Sequence, residues 1–271
     1  MPNLRTPEWV AVPEVGEVEV YRQLARRALR REVIAVDAPD AWFLKGGLTA
    51  GVVSDALVGK SLVADRRIGK LLLLDTDEGA VLGLHFGMTG RLFIDGSAGV
   101  ERLEYASGRD EPAWDRFALR FADGGHLRLR DPRRLGGVHL DPDEARLGVD
   151  ALTVTASQLS AVLGASAAPL KARLMDQSKL AGMGNLLTDE TLWRAALDPA
   201  RQAGSLTTAE RRRLHRHLRT TFSELMARGG SHTGDLHLAR VRGACCPRDG
   251  TPLERRTIAG RTTYSCPRHQ R

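Results

Sequence analysis

The hydrophobic pattern of this 271-residue chain changes once along its length, and that change limits the folds available to it. From Val33 to about Leu140, short apolar runs such as LLLLD, VLGLHF and HLRLR alternate with turn sequences such as DEG, GMTG and ADGG. This texture is typical of half-buried antiparallel strands. Beyond roughly Gly148 the apolar residues recur at helical spacing. The pattern therefore predicts an α+β chain that begins with a two-layer antiparallel β-sandwich and continues with helices.

Two helices carry clear signals. After the segment PEVGEVE, apolar positions from Val18 to Leu29 repeat at helical spacing with arginines between them, which predicts an amphipathic helix with a basic outer face. The longest predicted helix opens where Thr207 and Glu210 match a capping box, and it ends before a pair of glycines.

The charge balance indicates a polyanionic partner. The chain has 40 Lys and Arg against 33 Asp and Glu, a net charge of +7, and such a field favours binding through counterion release. Charge alone does not separate DNA from RNA. The N-terminal residues lack a secretory pattern, and no apolar run reaches the length of a spanning helix, so we expect a cytoplasmic protein without a membrane partner.

The three cysteines, Cys245, Cys246 and Cys266, lie near the C-terminus, and this clustering indicates metal binding rather than a disulfide framework. Cys246-Pro-Arg-Asp249 and Cys266-Pro-Arg-His269 form two pairs with equal spacing and a ligand-competent residue at each end. We therefore predict a bound Zn²⁺ in preference to a metal-free hairpin. Asp249 is an unusual member of this set, and Cys245 is the alternative fourth ligand.

Five separated segments carry a more specific signal: PEVGEVE, RRIGKLLLL, HFGMTGRL, RDPRRLGG with LMDQSKLAGMGN, and CPRDGTP with GRTTYSCPRH. Together and in this order, they resemble the motifs of the formamidopyrimidine-DNA glycosylase and endonuclease VIII family. The resemblance implies a base-excision repair enzyme that removes a damaged base and nicks the strand.

The resemblance also implies an architecture and a setting. We expect a catalytic β-sandwich domain over residues 1–148, a helix-two-turns-helix DNA-binding domain over 149–240 and a zinc-finger hairpin over 241–271. The expected partner is damaged double-stranded DNA, and we expect a monomer associated with the nucleoid.

Three catalytic residues follow from the resemblance. Pro13 matches the family's N-terminal proline, the nucleophile that forms a Schiff base with the sugar. Glu14 matches its general acid, a role that requires a raised pKa. Lys70 matches a hairpin lysine that approaches the sugar and phosphate of the lesion. Without the other segments, a Pro-Glu pair before a helix would indicate only ordinary first-turn chemistry.

The sequence departs from the family because twelve residues precede Pro13, and a proline within a chain has no free amine. We favour a true start at Val12, encoded by GTG, followed by removal of the initiator methionine. Proteolytic trimming of residues 1–12 is a second explanation. The third is a catalytically silent protein of the same fold that binds damaged DNA. An RNA-binding module that uses the same helical surface is a more distant alternative.

Seven further residues are predicted DNA contacts from the resemblance. His85 and Met88 belong to a turn that enters the duplex and fills the space of an extruded base. Arg133 addresses the orphaned partner base, and Leu135 is an apolar wedge at a position where the glycosylase branch commonly has Phe. The phosphate contacts are Lys179, Asn185 and Arg261.

The length of one connection bears on the substrate. Only fifteen residues, Ser231 to Cys245, separate the double glycine from the finger. Family members specialised for oxidised purines have a much longer insertion at this place. We therefore predict a more open pocket that accepts oxidised pyrimidines or ring-opened purines.

Overall fold

The protein is described here by a computed structural model, which covers residues 13–100 and 111–271. The predicted extension 1–12 lies outside these residues. The chain forms two compact units. We call the first the sheet unit; its described part comprises Pro13, Val18–Arg67 and Leu71–Pro142, less residues 101–110. The second, the helical unit, comprises Glu14–Glu17, Ile68–Lys70 and Asp143–Arg271.

The N-terminal half contains two α-helices and nine strands among its described residues. These elements are α1 (Val15–Ala25), β1 (Val33–Asp37), α2 (Ala50–Leu57), β2 (Leu62–Ile68), β3 (Leu71–Thr76), β4 (Val81–His85), β5 (Arg91–Ile94), β6 (Ser97–Ala98), β7 (Asp115–Phe121), β8 (His126–Arg130) and β9 (Gly137–Leu140). They form a five-stranded sheet of order β1-β7-β8-β5-β6 and a four-stranded sheet of order β2-β3-β4-β9.

One apolar core fills the sheet unit. The alternating residues Phe117, Leu119 and Phe121 of β7 are all fully buried, as period-two patterning requires of a strand with one face inward. They belong to the same cluster as Leu72 of β3 and Leu84 of β4, which come from the other sheet. Two sheets that share one core make a sandwich, so the predicted two-layer architecture is confirmed.

The C-terminal half is mainly helical. Its elements are β10 (Val149–Asp150), α3 (Ala156–Leu163), α4 (Leu170–Met175), β11 (Leu180–Ala181), α5 (Asn185–Arg194), α6 (Thr208–Ala227), β12 (Glu254–Ile258) and β13 (Arg261–Ser265). Buried leucines from α3, α4, α5 and α6 form a second core. The antiparallel pair β12–β13 is the predicted terminal hairpin. The α+β fold class is therefore confirmed.

Local signals explain where these helices begin and end. Thr207 and Glu210 form the expected reciprocal capping box at the start of α6, and Gly229 follows its end with a φ of +105°. By contrast, α5 begins after Gly184, which has no side chain to cap the helix. Within the described part of the chain, no helix combines the length and the apolar character needed to cross a membrane.

Candidate active site

The buried carboxyl of Glu14 occupies the N-terminus of α5. Its Oε2 accepts hydrogen bonds from the backbone N–H groups of Gly184 at 3.0 Å and Leu187 at 3.2 Å, and its Oε1 accepts one from Leu186 at 2.9 Å. These are N–H groups that a helix cannot satisfy internally. A Cβ added at residue 184 would lie 2.2 Å from the Glu14 carboxyl carbon. Glycine is therefore required for this approach, which explains the last glycine of the GMGN turn.

Burial raises the pKa of Glu14 to about 7, well above its usual 4.5. The charge of Lys70 and the hydrogen bonds from Leu186 and Leu187 lower this pKa, whereas nearby Glu17 raises it. Desolvation prevails because the side chain is almost entirely removed from solvent. Glu14 thus has both protonated and ionised forms near neutral pH, which is the condition for acid and base chemistry.

A second buried carboxylate, Glu17, holds the backbone beside Glu14. Its Oε2 accepts the Glu14 backbone N–H at 3.0 Å. Its Oε1 accepts the backbone N–H of Ser231 at 2.6 Å and the Ser231 hydroxyl at 2.7 Å. Glu17 was not among the residues predicted from the sequence. A signal was present in the first turn of α1, but an acid there is expected for the helix dipole alone.

Lys70 lies in the turn between β2 and β3, and it shares an electrostatic environment with Glu14. Burial lowers the pKa of Lys70, the carboxylates of Glu14 and Glu17 act in the opposite direction, and Arg261 lowers it further. The turn is held by Asp150, whose Oδ2 accepts the backbone N–H of Gly69 at 2.7 Å. The structure therefore brings together three predicted residues, Glu14, Lys70 and Arg261.

The predicted phosphate contacts lie on different elements of the helical unit. Asn185 is the first residue of α5, and its buried Oδ1 has no hydrogen-bond partner within the described residues. Lys179 is exposed just before β11. Arg261 is exposed at the first position of β13, opposite Ile258. Gln177 holds the turn between Lys179 and Asn185, because its side chain bonds backbone groups of residues 175, 182 and 183.

In the sheet unit, a single aspartate joins the two predicted intercalating loops. Oδ1 of Asp131 accepts the backbone N–H of Arg133 at 3.1 Å and also the hydroxyl of Thr89, which follows Met88. Its Oδ2 accepts the N–H of Gly136 at 2.7 Å, on the other side of Leu135. Asp131 was not selected from the sequence, although an Asp-Pro pair is a known turn signal.

The predicted side chains on these loops differ in exposure. Arg133 is exposed and Leu135 is 44% exposed, whereas Met88 is half-buried. His85 ends β4, and its Nδ1 accepts the backbone N–H of Gly87 at 3.3 Å. A Cβ on Gly87 would lie 2.4 Å from the carbonyl carbon of Leu135, so the turn and the loop are in backbone contact.

Four ligand-type side chains converge in the terminal hairpin region. The ligand atoms of Cys246, Asp249, Cys266 and His269 all lie within 4.8 Å of one another. The Cys246 Sγ is 3.7 Å from His269 Nδ1, and the Cys266 Sγ is 3.4 Å from Asp249 Oδ2. A tetrahedral zinc with bonds of about 2.0–2.3 Å holds its ligands about 3.3–3.8 Å apart, so the donor set fits a metal. Cys245 is exposed and lies outside this group.

Trp193, near the end of α5, orients two of these ligands. Its indole Nε1 donates to the Cys246 Sγ at 3.3 Å, and its carbonyl oxygen lies 3.3 Å from His269 Nε2. The contact to Nε2 leaves Nδ1 directed at the cluster, as supporting contacts around metal ligands usually do. Nothing in the spacing of the sequence pointed to Trp193.

Comparison with known proteins agrees with this arrangement. Residues 12–138 match the model of the formamidopyrimidine-DNA glycosylase N-terminal domain, and residues 147–236 match that of the formamidopyrimidine-DNA glycosylase H2TH domain. A formamidopyrimidine-DNA glycosylase of Paracoccus denitrificans is 34% identical over 94% of this chain and 99% of its own length. The chain belongs to the formamidopyrimidine-DNA glycosylase family. The family resemblance inferred from the five segments is thereby confirmed.

Solved structures of the family have the same fold. The MutM (Fpg) protein of Thermus thermophilus is 33% identical, covers 95% of this chain and 98% of its own, and has a TM-score of 0.76. A Lactococcus lactis formamidopyrimidine-DNA glycosylase, bound non-covalently to DNA that contains an AP site, superimposes with a TM-score of 0.78 at 24% identity, with 95% and 99% of the chains covered. The helical region is accordingly a helix-two-turns-helix domain.

Proposed function

We propose that this protein is a bifunctional DNA glycosylase and AP lyase of base-excision repair, with Pro13 as the nucleophile and Glu14 as the proton-transfer group. The observation that carries the proposal is the Glu14 carboxyl, which is buried on the N-terminus of α5 with a pKa of about 7. The relative from Paracoccus denitrificans is named for the glycosylase activity. The N-terminal domain match begins at residue 12, which supports a catalytic chain that starts at Pro13.

The proposed chemistry uses Pro13 as a secondary amine. Its nitrogen lone pair forms a bond to C1′ of the damaged nucleotide, and the bond from C1′ to the base breaks with its electron pair on the departing base. The departing base takes up the proton that the Pro13 nitrogen gives up. Protonated Glu14 donates to O4′ as the sugar ring opens, which leaves an iminium between Pro13 and C1′. Loss of a proton from C2′ then expels the 3′ phosphate, and a second elimination expels the 5′ phosphate. Water finally hydrolyses the iminium.

Other residues position the DNA in this proposal. Lys70 places a positive charge beside Glu14. In this proposal its side chain contacts the sugar and phosphate of the lesion. Asn185 is the first residue of α5, where the helix dipole attracts phosphate, and its side-chain NH2 group would donate to a phosphate oxygen. Lys179 and Arg261 are exposed cations for neighbouring phosphates. Arg133, Leu135 and the turn of His85 and Met88 fill the site vacated by the flipped nucleotide.

The proposed substrates are oxidised pyrimidines or ring-opened purines in double-stranded DNA. The short connection after α6 supports this choice, because hydrogen bonds hold it in place and it has no long insertion that could close over a flipped base. The Glu190 carboxylate accepts backbone N–H groups of Asp235 at 3.1 Å and Leu236 at 2.9 Å. Arg194 binds both Glu190 and Asp235. We also propose that the protein acts as a monomer.

We further propose that Cys246, Asp249, Cys266 and His269 bind Zn²⁺. Four protein ligands leave no open coordination position, so the ion would stabilise the hairpin and would not take part in base excision. The orientation of Cys246 and His269 by Trp193 supports a preformed site.

The test compares two forms of the protein. We expect the form that begins at Pro13 to cleave a duplex with an abasic site and to be trapped on it by borohydride. The 271-residue form should bind the same duplex without being trapped, because its Pro13 nitrogen is part of a peptide bond.

Equal trapping of both forms would show that another amine is the nucleophile. If both forms bound the abasic duplex and neither was trapped, the protein would be the damaged-DNA-binding alternative without lyase chemistry. Competition between the abasic duplex and a structured RNA excludes or establishes the RNA-binding alternative.

A further inference from the structure

An exposed tryptophan stands at the edge of the sheet unit with no role in the chemistry above. Trp42 is 68% exposed, whereas its neighbour Phe43 is fully buried. The short 3-10 helix that carries both, Ala41–Phe43, is capped by Asp40, whose Oδ1 accepts the Trp42 backbone N–H at 3.1 Å. The Lys45 ammonium donates to the Trp42 carbonyl at 2.9 Å and lies 5.3 Å from the centre of its indole ring. These contacts hold the backbone of Trp42 and place Lys45 beside its indole ring.

This segment is bound to the loop that carries Arg133 and Leu135. The Arg134 guanidinium pairs with Asp40 through two hydrogen bonds of 2.6 Å. The backbone N–H of Lys45 donates to the carbonyl of Val138 at 2.9 Å. The surface around Trp42 is thus continuous with the loop proposed to meet the base opposite the lesion.

The groove beside Trp42 combines an exposed aromatic ring with arginine side chains. Its volume is about 610 Å³, and its walls include Trp42, Pro112, Arg116 and Arg134. Asp40 and Asp115 are the two acids among its lining residues. Asp115 accepts hydrogen bonds from Arg128 and Arg130, and hydrogen bonds from Arg134 hold the pKa of Asp40 below its usual value. The guanidinium groups of Arg116 and Arg134 neutralise this carboxylate. A large exposed aromatic ring beside cations is the usual composition of a surface on which nucleotides stack.

We propose that Trp42 packs its indole against a nucleotide of the undamaged strand, next to the base that Arg133 meets. Trp42 is a positioning residue in this account, because it holds the partner strand while the damaged nucleotide is flipped out. The inference rests on the proposed function, since it takes damaged duplex DNA as the ligand.

The first experiment measures affinity for an abasic duplex with Trp42→Ala, Trp42→Phe and the control Ile34→Ala, an exposed apolar residue on β1. Loss of one stacked base weakens binding by about tenfold. We therefore expect about tenfold weaker binding for Trp42→Ala, near-normal binding for Trp42→Phe, and no change for Ile34→Ala. Wild-type tryptophan fluorescence should be quenched by the duplex more strongly than that of Trp42→Phe. Unchanged affinity in Trp42→Ala would overturn the proposal.

The second experiment identifies the strand. The same affinities are measured on a duplex whose undamaged strand has a gap opposite and beside the abasic site. If Trp42 contacts that strand, wild type and Trp42→Ala should bind the gapped duplex equally. A tenfold difference that persists on the gapped duplex would assign Trp42 to the damaged strand and overturn the proposal. Borohydride trapping of the form that begins at Pro13 is run in parallel, so a failure of the lyase function is seen separately from a failure of the Trp42 contact.

Discussion

At the scale of single residues, Glu14 is the most informative position in the molecule. An acid at a helix N-terminus normally keeps a low pKa, since the N–H groups and the helix dipole favour the ionised form. Glu14 has these contacts and still titrates at about pH 7 because burial outweighs them. This raised pKa suits the proton transfer proposed for Glu14.

We expect Glu14→Gln to abolish base excision while affinity for an abasic duplex stays nearly unchanged, because the substitution removes the proton and keeps the size of the side chain. The free energy of unfolding of the wild-type protein should also change with pH as Glu14 titrates. Below about pH 4.5 the carboxyl is protonated in folded and unfolded chains alike. Between about 4.5 and 7 the unfolded chain releases its proton while the folded protein keeps it, so the free energy of unfolding falls as pH rises.

Across that pH window the free energy of unfolding of the wild type should fall by about 3 kcal/mol, whereas that of Glu14→Gln should not show this fall. Urea unfolding of both proteins from about pH 4 to about pH 8 measures the difference. Parallel stability curves for the two proteins would show that Glu14 has an ordinary pKa. A variant that excised bases at the normal rate would remove Glu14 from the mechanism.

At the scale of elements, helix α5 holds the carboxyl that the proposed chemistry uses. Its first residues bind Glu14, and the glycine before it leaves room for the carboxyl. We expect Gly184→Ala to slow base excision strongly, because the added methyl group displaces the carboxyl from the helix N-terminus. The control is Gly51→Ala within α2, where the nearest atom to an added Cβ is 3.8 Å away. Single-turnover excision is the measurement; equal rates for the two variants would show that the Glu14 cap is dispensable.

The terminal hairpin offers a second test at this scale. Protein purified without added metal should contain about one zinc per chain. Asp249→Ala should lose most of it, because one of the four converging ligands is removed, whereas Cys245→Ser should retain it. Metal analysis of the three proteins decides the matter. Retention of zinc in Asp249→Ala with loss in Cys245→Ser would make Cys245 the fourth ligand.

Elements were more predictable from the sequence than contacts between distant residues. The alternation of Phe117, Leu119 and Phe121 and the capping pair Thr207 and Glu210 depend on neighbours in the chain, so the pattern contains them. The hydrogen bond that Trp193 donates to Cys246 joins residues far apart in sequence, and no spacing rule predicts it. The same holds for Asp131, whose side chain joins two loops.

At the scale of the whole molecule, the chain has a net charge of +7, and the exposed cations Lys179 and Arg261 are the ones proposed to contact DNA phosphates. We expect Lys179→Ala and Arg261→Ala to weaken all duplexes similarly, each lowering the slope of affinity against salt concentration by about one. Arg133→Ala should instead reorder affinity among the four opposite bases. Salt titrations on abasic duplexes with each opposite base are the measurement. If Arg261→Ala reordered the bases while Arg133→Ala scaled them equally, the two roles would be exchanged.

Helix α5 contacts a carboxyl at one end and a cysteine thiol at the other, so oxidation of the thiol would affect the carboxyl. The helix is a rod about 15 Å long; one end holds the Glu14 carboxyl and the other end holds Cys246 through the Trp193 indole. Thiols are among the groups most readily oxidised in proteins. Oxidation of Cys246 would add oxygen atoms to the sulfur that accepts the indole N–H, and the larger group would displace the helix that holds Glu14. The oxidants that damage DNA bases would then also impair the proposed excision of those bases.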